Sequence, residues 1–164
     1  MYAYRQTNPL RRLMRLSGAV PPLSWLYART LHPLDRTVYR LTRGRATFAS
    51  WTTGLPIVML TTTGAKSGVE RTLPLVALPD GERMVIIASN YGQQRNPGWY
   101  HNLRADPRAK LTFEGVTRDV VARELEGEER ERHYARGIEI YPGWVQYRER
   151  ANRQIPVIEL APVD

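Results

Sequence analysis

The chain has no cysteine, so disulfide frameworks, thiolate-held metal clusters and thiol catalysis are excluded. Lysine is nearly absent too: of 24 cationic residues only Lys66 and Lys110 are lysine, and the other 22 are arginine. No long apolar run exists. The uncharged stretch 16–28 is too short to cross a bilayer and is broken by Pro21 and Pro22. The three histidines, His32, His101 and His133, form no pair with ligand spacing and no HExxH, so no metal site is expected. No Gly-x-Ser-x-Gly elbow is present. The acids at 124–131 gather at a helix start, where they suit the helix dipole better than paired-carboxylate catalysis.

What is there begins with 164 residues, one domain's worth, enough to bury about 70% of the unfolded surface. The net charge of +8 is unevenly placed: residues 1–56 carry nine arginines against the single acid Asp35. Residues 57–164 balance 15 basic against 15 acidic residues. The basic segment 1–54 predicts short helices at 11–16, 23–31 and 35–41, the last capped by Asp35 and all punctuated by prolines. Its arginines alternate with Leu, Trp and Tyr. That composition fits a helical lid on the body, an anionic membrane surface or, least well, nucleic acid. Arg11-Arg12 before Leu13-Met14 resembles an export signal, but the double proline spoils the apolar region, and a cytoplasmic protein is expected, peripheral on the membrane's inner face if the segment binds lipid.

The body, 55–164, changes texture. Ile57–Thr63 predicts a strand, 64–68 a turn and 71–78 a second strand of a hairpin. Asp80-Gly81 is a sharp turn signal leading into 84–88 (MVIIA), a strand buried on both faces. Residues 90–97 read as a polar loop. Pro97 opens a helix Gly98–Ala105 that Asp106-Pro107 ends. Strands follow at 109–113 and 117–123, a helix at 126–140 whose charged run 128–132 is expected to face solvent, a helix from Pro142 to Ala151, and a last strand at 155–160. The class is α+β: a small barrel of about six mostly antiparallel strands with helices packed outside.

Gly64-Ala65-Lys66-Ser67 fails as a phosphate loop, because Ala precedes the lysine and a strand, not a helix, follows. A tight turn remains, with exposed N–H groups, Lys66, and Arg71 on the adjoining strand. It suits an anion, or is simply a soluble hairpin turn. Trp99 and Tyr100 flank the polar loop, and Tyr141, Trp144 and Tyr147 recur every three residues. Such a stripe packs a core or walls a pocket for a flat, polar-edged ring. A phosphorylated ring cofactor fits both features.

Three runs together are more specific. Leu60-Thr61-Thr62-Thr63-Gly64-Ala65-Lys66-Ser67-Gly68 with Arg71 is the first. Ala88-Ser89-Asn90 followed by Asn96-Pro97-Gly98-Trp99-Tyr100-His101-Asn102-Leu103 and Ala105-Asp106-Pro107 is the second. Tyr141-Pro142 with Trp144, Tyr147 and Arg153-Gln154-Ile155-Pro156-Val157 is the third. Over roughly residues 55–162 the chain resembles the deazaflavin-dependent nitroreductase family. The resemblance implies a split β-barrel that uses coenzyme F420, with FMN or haem, or a non-catalytic deazaflavin carrier, as alternatives. By that likeness Lys66, Ser67 and Arg71, with Ala65 beside them, hold the phosphate and acidic tail. The strand Arg71, Thr72, Leu73, Pro74, Leu75 and Val76 lines the deazaflavin. So do Ile87, Ala88, Ser89 and Asn90, and the helix start Gly98, Trp99, Tyr100, His101 and Asn102. Ser89 and Tyr141 are the catalytic candidates, as donors to the charge that develops on the acceptor. Val76, Trp144 and Tyr147 bound the substrate, and Trp144 also touches the cofactor. Where Trp144 stands the family often has tyrosine, and where Val76 stands some relatives place one, which counts against bulky nitro substrates. A quinone is the preferred acceptor, with nitro or enone compounds next.

Overall fold

The computed structural model describes residues 11, 37–38, 50 and 53–163. Apart from those isolated positions, the helices expected at 11–16, 23–31 and 35–41 lie outside the described residues. From residue 57 the chain forms β1 (Ile57–Thr63), β2 (Glu70–Asp80), β3 (Arg83–Ile87), a 3-10 turn (Asn90–Gly92) and α1 (Gly98–Ala105). Then come β4 (Arg108–Phe113), β5 (Val116–Glu124), α2 (Gly127–Ile140), α3 (Gly143–Ala151) and β6 (Val157–Pro162). The strands close into a barrel in the order β1-β2-β3-β6-β5-β4, and every pairing is antiparallel.

The β1–β2 hairpin runs from Ile57 opposite Val76 to Thr63 opposite Glu70. β2 is longer than its sequence suggests, since Pro74 and Pro79 both lie within it. At its far end Gly81 takes φ +60°, a left-handed turn conformation that glycine adopts without a Cβ clash, and the chain reverses directly into β3.

Side-chain alternation divides the core in two. Val58, Leu60, Ala77, Ile86, Leu111, Val120, Ile158 and Leu160 fill the barrel. Leu78, Val85, Ile87 and Val157 face outward against Tyr134, Trp144, Tyr147 and Ala151 of α2 and α3. β3 thus contributes to both layers, which is why its run of apolar residues is unbroken. Trp99, Tyr100 and Leu103 of α1 pack into the barrel core, and Pro97 precedes the first turn.

Two expectations need correction. β6 begins at Val157 and not at 155, because the carbonyls of Ile155 and Pro156 are engaged elsewhere, by Arg130 Nη2 (2.7 Å) and the Ala88 N–H (2.9 Å). The run 128–132 is not wholly solvated either. Arg130 is only 4% exposed; it pairs with Glu131 and lies 5.4 Å from the Tyr134 ring centroid. On the barrel's outer face the buried carboxylate of Glu159 accepts from Arg83 (2.9 Å) and Arg123 (3.1 Å), and Arg123 reaches on to Glu129. One acid therefore ties β3, β5, β6 and α2 together.

Candidate active site

The first part of the site is the β1–β2 turn. The Gly64 N–H donates to the Val69 carbonyl (3.0 Å) and the Gly68 N–H to the Gly64 carbonyl (2.8 Å), with Gly68 at φ +66°. Asn102 on α1 braces it from below: its Oδ1 accepts from the Ala65 N–H, and its Nδ2 donates to Thr62 Oγ1, both at 3.0 Å. This exposed turn is thereby held against the barrel end by one amide side chain. Lys66, Ser67 and Arg71 are exposed on it. Arg71 stands opposite Thr62, so it shares that residue's face of the sheet beside Asn102. Among the described residues neither Lys66 nor Arg71 has an acid partner, whereas Lys110 nearby is paired with Glu70. Two cations without acid partners among the described residues, on a braced turn, suit an anion.

The second part is aromatic. Ser89 follows β3 and is 8% exposed; its Oγ accepts from Trp144 Nε1 at 3.3 Å. Because the indole can only donate, the serine keeps its own hydrogen for another acceptor. Trp144 is itself fixed: Tyr134 Oη donates to its carbonyl at 3.0 Å, and the Tyr141 ring meets it edge-on at 5.5 Å. Tyr141 and Tyr147 share a hydrogen bond of 3.0 Å between their hydroxyls. The Tyr91 ring lies edge-on to Tyr147, 6.3 Å between centroids. Ser89, Tyr141, Trp144 and Tyr147 are thus brought into one connected cluster.

Burial, then the neighbouring Tyr141, pushes the Tyr147 hydroxyl well above the usual phenol range, and burial pushes Tyr134 up to about 12. Both phenols are neutral donors at any working pH. A hydroxyl with a raised folded-state pKa contributes stability that is complete below the ordinary value near 10 and is lost as pH rises toward the folded value. Alkaline unfolding is therefore expected to steepen from pH 10 to 12. Tyr134→Phe should flatten that slope in urea titrations at stepped pH, and an unchanged slope would contradict the assignment.

Not every expected lining residue faces this space. Leu73 and Leu75 pack into the barrel, and so do Trp99 and Tyr100, whose hydroxyl donates to Glu124 at 3.0 Å. Thr72 shares a hydrogen bond with Thr61 across the hairpin (2.7 Å) and Pro74 is buried. Of the α1 residues expected at the site, Gly98 and His101 are exposed and Asn102 is half-buried. Ile87 and Ala88 are buried, Asn90 is half-buried, and Val76 packs at the margin of the outer core with Tyr91, Ile138 and Tyr141. Trp144 is only 3% exposed and Tyr147 4%, so they stand behind Tyr141 and Ser89 more than in front of them.

Three contributors were missed in the sequence. Thr62 is one end of the Asn102 brace. Gly137 lets α2 approach, since a Cβ there would lie 2.7 Å from Ile87 Cδ1 and 2.9 Å from the Trp144 ring. Arg153, inside the third run, donates to the Ala88 and Ser89 carbonyls. Only the presence of Arg153 in that run signalled it.

A closed antiparallel barrel with a cationic turn at one end and a buried hydroxyl–aromatic cluster on its flank is the frame of a split-barrel oxidoreductase. The family described as F420H(2)-dependent quinone reductase matches residues 34–162, starting inside the basic segment. An F420H(2)-dependent quinone reductase of Mycobacterium tuberculosis is 35% identical over 133 residues, 77% of this chain and 87% of that protein. A solved F420-H2 dependent reductase, FDR-A, superposes with a TM-score of 0.60 at 40% identity, over 64% of this chain and 93% of its own. A solved chain described as a domain-swapped dimer gives 0.62 at 33% identity, over 85% and 98%. The chain belongs to the F420H(2)-dependent quinone reductase family. It is an oxidoreductase whose coenzyme is F420.

The residues fit that coenzyme. The turn offers two cations without acid partners among the described residues, matched to a phosphate and an acidic tail. Space is open over Gly98, where a Cβ would meet nothing within 4 Å, at a helix start with no acid in its first turn. Asn96 Oδ1 is a buried acceptor without a donor among the described residues, as a ring-bearing group with N–H or O–H edges would require.

Proposed function

We propose that the protein reduces a quinone with reduced F420, and that the two parts of the site divide the work. The bound coenzyme supplies a two-electron hydride. Lys66, Ser67 and Arg71 hold its phosphate and tail; the Ala65 N–H, expected to join them, is instead committed to Asn102. Val76, the segment 87–90 and the surface of α1 at Gly98, His101 and Asn102 line its ring. Five residue steps of β2 lead from Arg71 to Val76, about 17 Å at strand rise, so the anion turn and the aromatic cluster lie a cofactor's length apart.

Ser89 donates its free hydrogen to the acceptor oxygen on which negative charge develops, and the Trp144 indole keeps that hydroxyl aimed. Tyr141 is the second donor and the proton source, with Tyr147 behind it holding its hydroxyl in place. Both work by being positioned before the reaction, so little reorganisation is needed when charge appears. Val76, Tyr91, Ile138 and Tyr141 give the acceptor side a mainly apolar margin, which suits a quinone ring; nitro and enone compounds are the secondary class.

The observation that carries this reading is the Trp144–Ser89 hydrogen bond, which leaves one aimed donor beside Tyr141 in a chain of this family. Menadione should oxidise reduced F420 in the presence of the purified protein, followed by the return of deazaflavin absorbance. Binding of the coenzyme without turnover on menadione would remove the quinone and leave the coenzyme.

The segment 1–54 is best read as a separate basic unit ahead of the barrel at 55–164, one that brings a cytoplasmic enzyme to an anionic membrane surface where lipid quinones reside. Nine arginines against one acid support this. Among the described residues no helix is long and apolar enough to cross a membrane. Co-sedimentation with phosphatidylglycerol vesicles, compared with phosphatidylcholine vesicles, tests it.

A further inference from the structure

Ser89 leads into an unusual stretch of backbone. Asn90 (φ 47°) and Tyr91 (φ 55°) are consecutive non-glycine residues in the left-handed region, followed by Gly92 at φ 78°. Such residues persist only where their surroundings over-determine them, and they collect at functional sites. Two side chains add to the turn's own main-chain bonds in holding it. Asn90 Nδ2 donates to the Arg95 carbonyl at 3.0 Å. The larger hold is Arg153, from the connection between α3 and β6. Its Nη2 reaches the carbonyls of Ala88 (3.0 Å), Ser89 (3.4 Å) and Arg95 (3.5 Å), and its Nε reaches Gln93 (3.2 Å). Nη1 lies 3.4 Å from the Gln154 carbonyl. Every hydrogen bond of Arg153 among the described residues thus goes to a main-chain carbonyl and none to a carboxylate.

We propose that Arg153 is a positioning residue: its guanidinium fork fixes the left-handed turn 89–92, and through it the Ser89 hydroxyl and the floor of the coenzyme site. The fork is what the geometry needs. It presents several N–H groups in one rigid plane, so carbonyls spread along the chain from Ala88 to Arg95 converge on a single side chain. An ammonium group on a flexible stem cannot span them. Burial also lowers the affinity of Arg153 for its proton. The Trp144 indole aims the Ser89 side chain, and Arg153 aims its main chain.

The claim about the turn stands on the coenzyme-free protein; its consequence for binding rests on the reading of the site as an F420 site. Two measurements on the full chain separate these. Amide hydrogen exchange across 88–95 is compared in wild type, Arg153→Met and Arg153→Lys without coenzyme, and the affinity of each for oxidised F420 is measured by fluorescence. Exchange at Gly92 and Gln93, whose N–H groups bond to Ser89 and Asn90, should rise about tenfold or more in both variants while the strands stay protected. F420 affinity should fall about tenfold in both, the loss of one or two charge-assisted hydrogen bonds' worth of order. Unchanged exchange in Arg153→Met overturns the proposal, and so does wild-type exchange in Arg153→Lys, which would mean that charge alone suffices. A wild-type protein that binds no F420 overturns the reading of the site, while the exchange result still decides the role of Arg153. Should Arg153→Met fail to fold, Arg153→Lys carries the comparison.

Discussion

Ser89→Ala should lower kcat for quinone reduction by about 10²–10³, with the affinity for oxidised F420 within about twofold of wild type. The size follows from where the hydroxyl sits. It is buried at 8% exposure, already receives one hydrogen bond from Trp144, and has a single hydrogen left to offer. A donor of this kind is strongest when charge develops in a site sheltered from water, and truncation to Ala leaves the Trp144 Nε1–H unsatisfied as well. Trp144→Phe separates the two contributions: it removes the aiming bond but not the donor, so its kcat loss should be the smaller. Steady-state kinetics with menadione reads both. Equal losses in the two variants would show that Ser89 acts only as a partner for the indole. A Ser89→Ala enzyme with wild-type kcat would remove Ser89 from the chemistry.

The largest effect on stability is expected at Gly137. On helix propensity alone, replacing a mid-helix glycine with alanine should gain about 1 kcal/mol. Here the new Cβ would stand 2.7 Å from Ile87 Cδ1 and 2.9 Å from two carbons of the Trp144 ring. The isoleucine methyl can swing away. The indole cannot, because Tyr134 holds its main chain and Ser89 its nitrogen. Overpacking of this kind costs about 1–3 kcal/mol, and a β-branched residue adds helix strain, so Gly137→Val should lose about 2–4 kcal/mol. In a domain of this size that is a fall in Tm of about 5–15 °C. Relief of the clash can come only by straining the Trp144–Ser89 bond, so kcat should fall as well, which a purely structural glycine would not do. Thermal melts with kinetics on the surviving folded protein check both, and a Gly137→Val protein as stable as wild type would mean α2 is free to retreat.

The barrel was legible wherever pattern and turn chemistry agreed. Ile57–Thr63, the Asp80-Gly81 reversal, the doubly buried run after it and the helix Gly98–Ala105 all read directly, because local preference and burial point the same way there. β2 was read too short, since proline at 79 argues against a strand in sequence but not where the chain is about to turn. Arg130 reads as solvated because a charge run shows no partner; the Tyr134 ring that covers it is one helical turn on, but the Ile155 carbonyl that it reaches lies on another segment. The site was legible as motifs, not as geometry. Spacing singled out Tyr141, Trp144 and Tyr147 as a set, yet could not say that the indole turns inward to Ser89 while only Tyr141 stays half-open. Nor could it show that Trp99 and Tyr100 plug the barrel instead of lining a pocket. Asn102 braces the Ala65 N–H and the Thr62 hydroxyl, and Arg153 the carbonyls of 88–95, all far away in sequence, a kind of contact that leaves no local signature.

The most direct test is titration of the purified protein with oxidised F420, followed by fluorescence, in wild type and in the Lys66→Ala/Arg71→Ala double variant, with FMN as competitor. Micromolar or tighter binding is expected, displaced poorly by FMN and weakened about 100-fold in the double variant, about tenfold for each cation removed from the turn. Binding unaffected by the double variant, or FMN held more tightly than F420, would contradict the assignment of the Asn102-braced turn as the coenzyme's anion site.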